Sequence, residues 1–207
     1  MITNPKRKNR INEFVDKNHK AMSDFYDLIE SEVSEVQAKR ALKHFIEEDP
    51  DFFDPYLDLA VISSEKVGRE LRRRAFERAV SRIADKNGDW PVFMPWGWLE
   101  NRHLMRALES WAVVLWKEGE TEKALDIFRR LFHANPGDNQ GARYSVLAIR
   151  LGLGIDWDEP FVVKDGPMAG QAVDAIACND WFEENMKKFP EEFGWWQGAL
   201  KEHGYLD

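Results

Sequence analysis

The sequence repeats with a period of about 34 residues, which lies in the range of helical repeat proteins, and one constant offset interrupts the repeat. Phe25 recurs one period later as Leu59, and Trp111 recurs one period later as Ser145. Between these two pairs, from Leu59 to Trp111, the interval is 52. A fixed period in this range is typical of stacked helix–turn–helix units, none of which can bury its apolar face alone. The longer interval places one insertion near residues 85–102. The pattern favours a binding scaffold over a catalyst.

Composition indicates the cellular compartment of the chain. Its single cysteine, Cys178, excludes an internal disulfide and a cysteine-rich metal site. No apolar run approaches the roughly 20 residues that a membrane-spanning helix needs. The basic start, MITNPKRKNR, lacks the apolar stretch of a secretory signal. We therefore expect a cytoplasmic protein that does not bind membranes.

The negative charge is concentrated at the C-terminal end of the chain. Residues 151–207 contain 12 acidic and 4 basic residues, so their net charge equals the −8 of the whole chain. An acidic, divergent end is typical of a terminal cap, whose outer face meets water rather than another repeat. We therefore predict a helical repeat array over residues 1–154 and an acidic, tryptophan-rich cap over residues 155–207 that packs on it.

Apolar periodicity and turn residues predict an all-α protein. Three helix pairs and a half are expected, followed by a loop over 155–167 and by capping helices. The first six helices are predicted at about 9–30, 33–48, 52–66, 68–85, 100–118 and 121–134. The seventh is predicted at about 139–152 and the capping helices at 169–178, 180–188 and 190–203. A hinge is expected near Gly68, between the third and fourth helices.

The third helix pair resembles a tetratricopeptide repeat. The similarity extends over residues 105–138. The first helix matches the large-large-small-large pattern of that family at Leu108, Trp111, Ala112 and Leu115. The turn and second helix match at Gly119, Ala124, Phe128 and Pro136. This resemblance implies a right-handed superhelix of stacked antiparallel helix pairs that binds other proteins. Residues 100–108 and 138–141 are similar, more narrowly, to the tetratricopeptide-like suppression-of-tumorigenicity 7 family and its bacterial relatives, a match that implies no known chemistry.

In tetratricopeptide arrays the first helices line a concave groove, and their register assigns the groove candidates here. These are Arg106, Ser110, Lys117, Arg143, Tyr144 and Arg150. The family's carboxylate clamp uses asparagines where this chain has Asp58, Ser110 and Tyr144, so that clamp is absent. Arg143, Tyr144 and Arg150 can instead form a basic, aromatic-flanked spot for an acidic segment.

Two further segments invite a functional interpretation. The insertion contains Trp90, Trp96 and Trp98, which form either an aromatic lip over the groove or a plug that seals a gap between helices. The arginine-rich stretch 69–82 places Arg74, Arg78 and Arg82 on one helix face. It is either an anion- or RNA-binding patch or a solvated helix face.

Catalytic patterns are scarce. The histidines, at positions 19, 44, 103, 133 and 203, are widely separated in the sequence, so no helix carries an i, i+4 metal pair. There is no phosphate-binding glycine loop and no nucleophile elbow. We therefore predict no enzyme, no cofactor and no metal, and a protein or peptide as the partner. A sequence pI of about 5.3 disfavours nucleic acid, and the oligomeric state is left open.

Overall fold

The computed structural model describes residues 13–206. The beginning of the helix predicted from about residue 9, and the basic N-terminal stretch, lie outside the described residues. Over 13–206 the secondary structure is helical, with isolated β-bridges and no strand. The all-α prediction is therefore confirmed.

Ten α-helices and two short 3-10 turns are found within the described part of the chain. The first five α-helices are α1 (Met22–Ile29), α2 (Glu35–Glu48), α3 (Asp54–Val61), α4 (Glu65–Ile83) and α5 (Leu99–Lys117). The others are α6 (Thr121–Ala134), α7 (Ala142–Arg150), α8 (Ala175–Asn185), α9 (Pro190–Phe193) and α10 (Trp196–Glu202). The predicted bounds of α2, α5 and α6 agree closely with the structure.

The first helix is shorter than predicted. It begins at Met22, and residues 13–18 are not helical. The backbone of this segment instead follows the insertion, because Phe14 N–H donates to Phe93 O at 2.8 Å. Asp16 is buried in this segment, and its partners Arg82, Asn101 and His103 are far away in the sequence. These hydrogen bonds to distant residues hold the segment in a non-helical conformation, although its local apolar pattern predicts a longer helix.

The hinge predicted at Gly68 is wrong, since Gly68 lies inside α4. A β-carbon at this position would lie 2.6 Å from the carbonyl oxygen of Ala60 in α3. Glycine is therefore required by the close approach of α3 and α4 rather than by a break in the helix.

The capping helices also differ from the prediction. Residues 169–174 are not helical, and α8 runs without a break through the predicted boundary at residues 178–180. The side chain of Asp174 accepts hydrogen bonds from Ile176 N–H and Ala177 N–H, so the helix starts directly after it.

The described residues form two compact units. The first comprises residues 13–107 and His133–Asn135, and the second comprises Leu108–Phe132 and residues 136–206. The core of the first unit contains the fully buried Phe52, Phe53 and Tyr56. The domain boundary predicted after residue 154 stays a prediction. None of the helices described has the length and apolar content needed to cross a bilayer.

Within the second unit, the C-terminal segment packs on α6. The ring of Phe132, in α6, lies 4.9 Å from the ring of Trp195 and 5.6 Å from that of Trp196. The indole N–H of Trp196 donates to Pro136 O at 2.8 Å. Ala112 and Ala124, the small residues of the repeat pattern, are completely buried.

The insertion lies within the first unit, and its members differ in burial. Phe93 and Met94 are buried, and Met94 N–H donates to Ala134 O at 2.7 Å. The side chain of Trp98 is 46% exposed, and its indole N–H donates to Glu13 Oε2 at 3.2 Å. The insertion ends earlier than residue 102, since α5 begins at Leu99.

The other two tryptophans of the insertion, Trp90 and Trp96, are half-buried. The guanidinium carbons of Arg102 and Arg106 lie 5.2 and 5.8 Å from the ring centroid of Trp96. This distance allows a cation–π contact on the ring.

We expect the residues of the insertion to differ in their effect on stability. Met94→Ala removes a fully buried side chain and should lower the free energy of unfolding by about 2–5 kcal/mol. Trp98→Ala removes a larger but half-exposed side chain and should cost about 1 kcal/mol or less. Urea denaturation of both variants checks this order. A larger loss for Trp98→Ala would show that this ring, rather than Met94, seals the segment.

Candidate functional site

A cluster of buried ionisable side chains occupies the first unit. Asp16, His19 and His103 have no exposed side-chain surface. Asp16 Oδ2 lies 3.0 Å from His19 Nε2 and 3.2 Å from His103 Nε2. The sequence pattern did not reveal this site, because His103 lies far from Asp16 and His19 in the sequence.

The candidate metal-binding atoms of this cluster lie within 4.8 Å of one another, so the positions of the ring protons decide its chemistry. Phe53 N–H donates to His103 Nδ1 at 3.2 Å. A neutral imidazole that accepts at Nδ1 carries its proton on Nε2, and a protonated nitrogen cannot be a metal ligand. His19 Nδ1 lies 3.0 Å from a carboxylate oxygen of Asp49, and His19 Nε2 lies 3.0 Å from a carboxylate oxygen of Asp16. The tautomer that accepts the Phe53 N–H therefore leaves His103 Nε2 protonated and facing Asp16 rather than open to a metal ion.

The carboxylate of Asp16 is the centre of this network. Burial alone would raise its pKa, but hydrogen bonds from His103, His19 and Arg82 outweigh that effect and hold the pKa of Asp16 well below its usual range. Burial lowers the pKa of His103. Asp16 also accepts from its neighbour Lys17 N–H, while its own N–H donates to Asn101 Oδ1 at 3.0 Å. The network thus fastens residues 13–19 to the helices of the first unit.

Helix α4 carries the arginine-rich stretch, and several of its guanidinium groups have intramolecular partners. Arg82 donates to Asp16. Arg78 donates to Pro50 O at 2.8 Å and to Asp51 at 2.6 Å, and Arg73 bonds Glu70 and Glu77 on its own helix. Arg74 lies over the ring of Tyr56 at 5.5 Å. The positive charge of this stretch is largely balanced within the unit.

The second unit contains an open cleft of about 490 Å³. Its walls come from α5, the turn before α7, the loop after α7 and the start of α8. The lining side chains include Glu109, Val113, Trp116, Asp138, Arg143, Tyr144, Ile155, Trp157, Asp158, Val173, Ala175 and Cys178. This volume falls in the range of known ligand pockets.

The turn before α7 has an unusual backbone. Asp138 has a φ of 45°, the only positive φ of a non-glycine residue among those described. Gly141 has a φ of 79°. Aspartate tolerates the left-handed region better than most residues because its short side chain can bond locally. Such a conformation is often found at functional sites, where surrounding contacts hold it.

Contacts from α7 hold Asp138 in this conformation. Its carboxylate is buried and accepts from the backbone N–H of Arg143 at 3.2 Å and from the Arg143 guanidinium at 2.8 Å. Burial raises the pKa of Asp138 to about 6, although Arg143 acts in the opposite direction. The ion pair therefore ties the turn to the first turn of the helix.

The guanidinium of Arg143 is also held by aromatic rings. Its carbon lies 4.1 Å from the ring centroid of Tyr144 and 5.3 Å from those of Phe182 and Trp196. It donates to Tyr144 Oη and to Asn179 Oδ1. Nε of Arg143 is buried and has no hydrogen-bond partner within the described residues.

Aromatic rings form one wall of the cleft. Trp157 is stacked between Tyr144, at 6.0 Å, and Trp181, at 5.1 Å. Cys178 lies in the same cleft and is buried. Burial raises the pKa of its thiol, and the Asp158 carboxylate acts in the same direction. The thiol is therefore not activated as a nucleophile.

The structure separates the predicted groove residues. Arg143 and Tyr144 line the cleft, whereas Ser110, Lys117 and Arg150 are not among its lining residues. Arg106 belongs to the first unit, where its Nε donates to Asp54 at 2.8 Å. Trp157 and Asp138, which also line the cleft, are not among the residues that the repeat register predicts for the groove.

Arg150 has carboxylate partners of its own. It donates to Glu191 at 2.7 Å, and its Nε lies 3.2 Å from Glu192. Its guanidinium also lies over the ring of Phe189 at 5.0 Å. The basic spot predicted from Arg143 and Arg150 is therefore made of arginines that are already paired.

Comparisons of this chain with protein-family models, with curated proteins and with solved structures find no match. The tetratricopeptide resemblance therefore stays an expectation, and the geometry of the chain itself must carry the functional argument.

We expect the Asp16 cluster to make the fold sensitive to acid. The lowered pKa values of Asp16 and His103 mean that the unfolded chain binds more protons than the folded chain. The contribution of this cluster to the free energy of unfolding should therefore fall as the pH drops below about 6.5, and further below about 3.9, the usual pKa values of His and Asp. Asp138 acts in the opposite direction between about 6 and about 3.9, because burial raises its pKa to about 6. Urea denaturation between neutral and acidic pH measures this dependence.

Asp16→Asn should cost about 3–5 kcal/mol at neutral pH, because it leaves two buried histidine rings and the partly buried Arg82 guanidinium without their carboxylate. It should also weaken the acid dependence. Asp27→Asn, at an exposed position of α1, is the matched control and should change neither quantity. An acid dependence that is equal in Asp16→Asn and in the unaltered protein would contradict this assignment.

Proposed function

We propose that this chain is a protein–protein interaction module whose second unit binds a segment of a partner protein in the cleft beside α7. The observation that carries the proposal is the cleft itself. A strained turn, a buried ion pair and a stack of aromatic rings converge on one open cavity. Apolar walls with a few fixed polar groups are what a binding pocket for a peptide needs.

Preorganisation supports binding over a purely structural role for these residues. Arg143 is held by Asp138, Asn179 and three aromatic rings. A side chain that is already fixed loses little conformational entropy when a partner arrives. A cleft of this kind binds with small backbone changes.

The chemistry of the cleft supports a binding role rather than a catalytic one. Asp138 is paired with Arg143, and the Cys178 thiol has a raised pKa. The thiol is therefore not prepared for nucleophilic attack at neutral pH, and the carboxylate of Asp138 already accepts hydrogen bonds from Arg143. The resemblance to tetratricopeptide repeats, whose groove binds proteins, supports the same class of function.

Filling the cleft should abolish partner binding. Ala175, the first residue of α8, lines the cleft and is exposed, so Ala175→Trp should occupy the cavity without disturbing the core. Ile176→Trp changes the next residue, which is 77% exposed and is not among the lining residues. Affinity purification from the native host, with nuclease treatment and mass spectrometry, compares both variants with the unaltered protein.

We expect the same partner to be recovered with the unaltered protein and with Ile176→Trp, and to be lost with Ala175→Trp. Thermal melting of both variants confirms that they fold. Equal recovery with a folded Ala175→Trp variant would contradict the proposal. Loss of all bound material after nuclease treatment would instead favour the RNA-binding alternative.

A further inference from the structure

We propose that the cleft of the second unit selects a partner segment that carries lysine or arginine side chains. This inference rests on the proposed function and adds the chemistry of the partner. It reverses the expectation from the sequence, in which Arg143 and Arg150 were to receive an acidic segment.

The side chains that line the cleft favour a cation. Three of them, Glu109, Asp138 and Asp158, are carboxylates, and one, Arg143, is a cation. Glu109 accepts a hydrogen bond from Gln140 Nε2 at 2.6 Å. The formal charge around the cavity is therefore negative.

The one cation among the described lining residues is committed to an internal partner. The guanidinium of Arg143 lies 2.8 Å from Asp138 and is packed among the rings of Tyr144, Phe182 and Trp196. A carboxylate of an incoming segment would compete with a buried aspartate for this group. It would also approach Asp158, a like charge. Both effects disfavour an acidic ligand.

The net charge of the whole second unit also favours a basic partner. The second unit, taken over residues 108–132 and 136–207, contains 18 acidic and 10 basic residues, a net charge of −8. The remaining residues contain equal numbers of both kinds. A negative unit around a cleft raises the association rate of basic partners and lowers that of acidic ones.

The walls of the cleft suit the stems of basic side chains. Val113, Ile155 and Val173 provide aliphatic surface beside the aromatic wall. Lysine and arginine bury their methylene groups on such surfaces while the charged end reaches a carboxylate. A segment in which basic and apolar residues alternate therefore fits both features of the cavity.

Fluorescence anisotropy with short labelled peptides tests this inference. The probes are a peptide of alternating leucine and lysine, the same peptide with glutamate in place of lysine, and the same peptide with glutamine. The lysine peptide should bind most tightly and the glutamate peptide most weakly. Tighter binding of the glutamate peptide, or equal binding of all three, would overturn the inference.

Matched variants separate the cleft from the general negative charge of the unit. Glu109→Gln combined with Asp158→Asn removes two carboxylates of the cleft. Asp165→Asn combined with Glu183→Gln removes two exposed carboxylates that do not line it. We expect the first pair to weaken binding of the lysine peptide about tenfold and the second pair by no more than about twofold.

Equal effects of the two pairs would show non-specific attraction and would overturn the inference. Its failure is distinguishable from failure of the proposed function. If Ala175→Trp abolishes capture of the native partner while Glu109→Gln with Asp158→Asn leaves it unchanged, the cleft binds a partner of another chemistry. If Ala175→Trp leaves capture unchanged, the cleft is not the interface.

Discussion

The ion pair between Asp138 and Arg143 is the interaction on which the second unit depends. It joins a turn with left-handed backbone to the first turn of α7, and it fixes the guanidinium among three aromatic rings. A buried ion pair contributes little net stability when compared with apolar packing. The role of this pair is therefore to hold the side chains of the cleft in position. It sets the position of Tyr144, on which Trp157 stacks, and with it the aromatic wall of the cleft.

Individual helices could be predicted well wherever apolar periodicity coincided with strong end signals. The helix predicted at 121–134 has these bounds in the structure, because Gly119 before it and Pro136 after it are unambiguous. The predicted first helix is too long because Asp16 bonds Arg82 and His19 bonds Asp49, and no local pattern can reveal such distant partners. Gly68 was read as a hinge because the carbonyl group it approaches lies on another helix.

The candidate site was predictable only in part. Register identified Arg143 and Tyr144 as accessible positions of a repeat helix, and both line the cleft. It could not identify Asp138 as their partner or Trp157 as their neighbour, since the loop after α7 departs from the repeat. The repeat register also could not predict the sign of the charge around the cleft. Two arginines on one helix suggest a basic surface, but Asp138, Glu191 and Glu192 neutralise them in the folded chain.

The cleft beside α7 is the proposed binding surface. Recording ¹H–¹⁵N correlation spectra of the full chain during titration with the leucine–lysine peptide shows which residues the peptide contacts. We expect shift changes concentrated at the residues that line the cleft, including Gly141, Tyr144 and the indole N–H of Trp157, with residues of the first unit unchanged. Shift changes confined to the first unit, or spread evenly over exposed acidic residues, would contradict it.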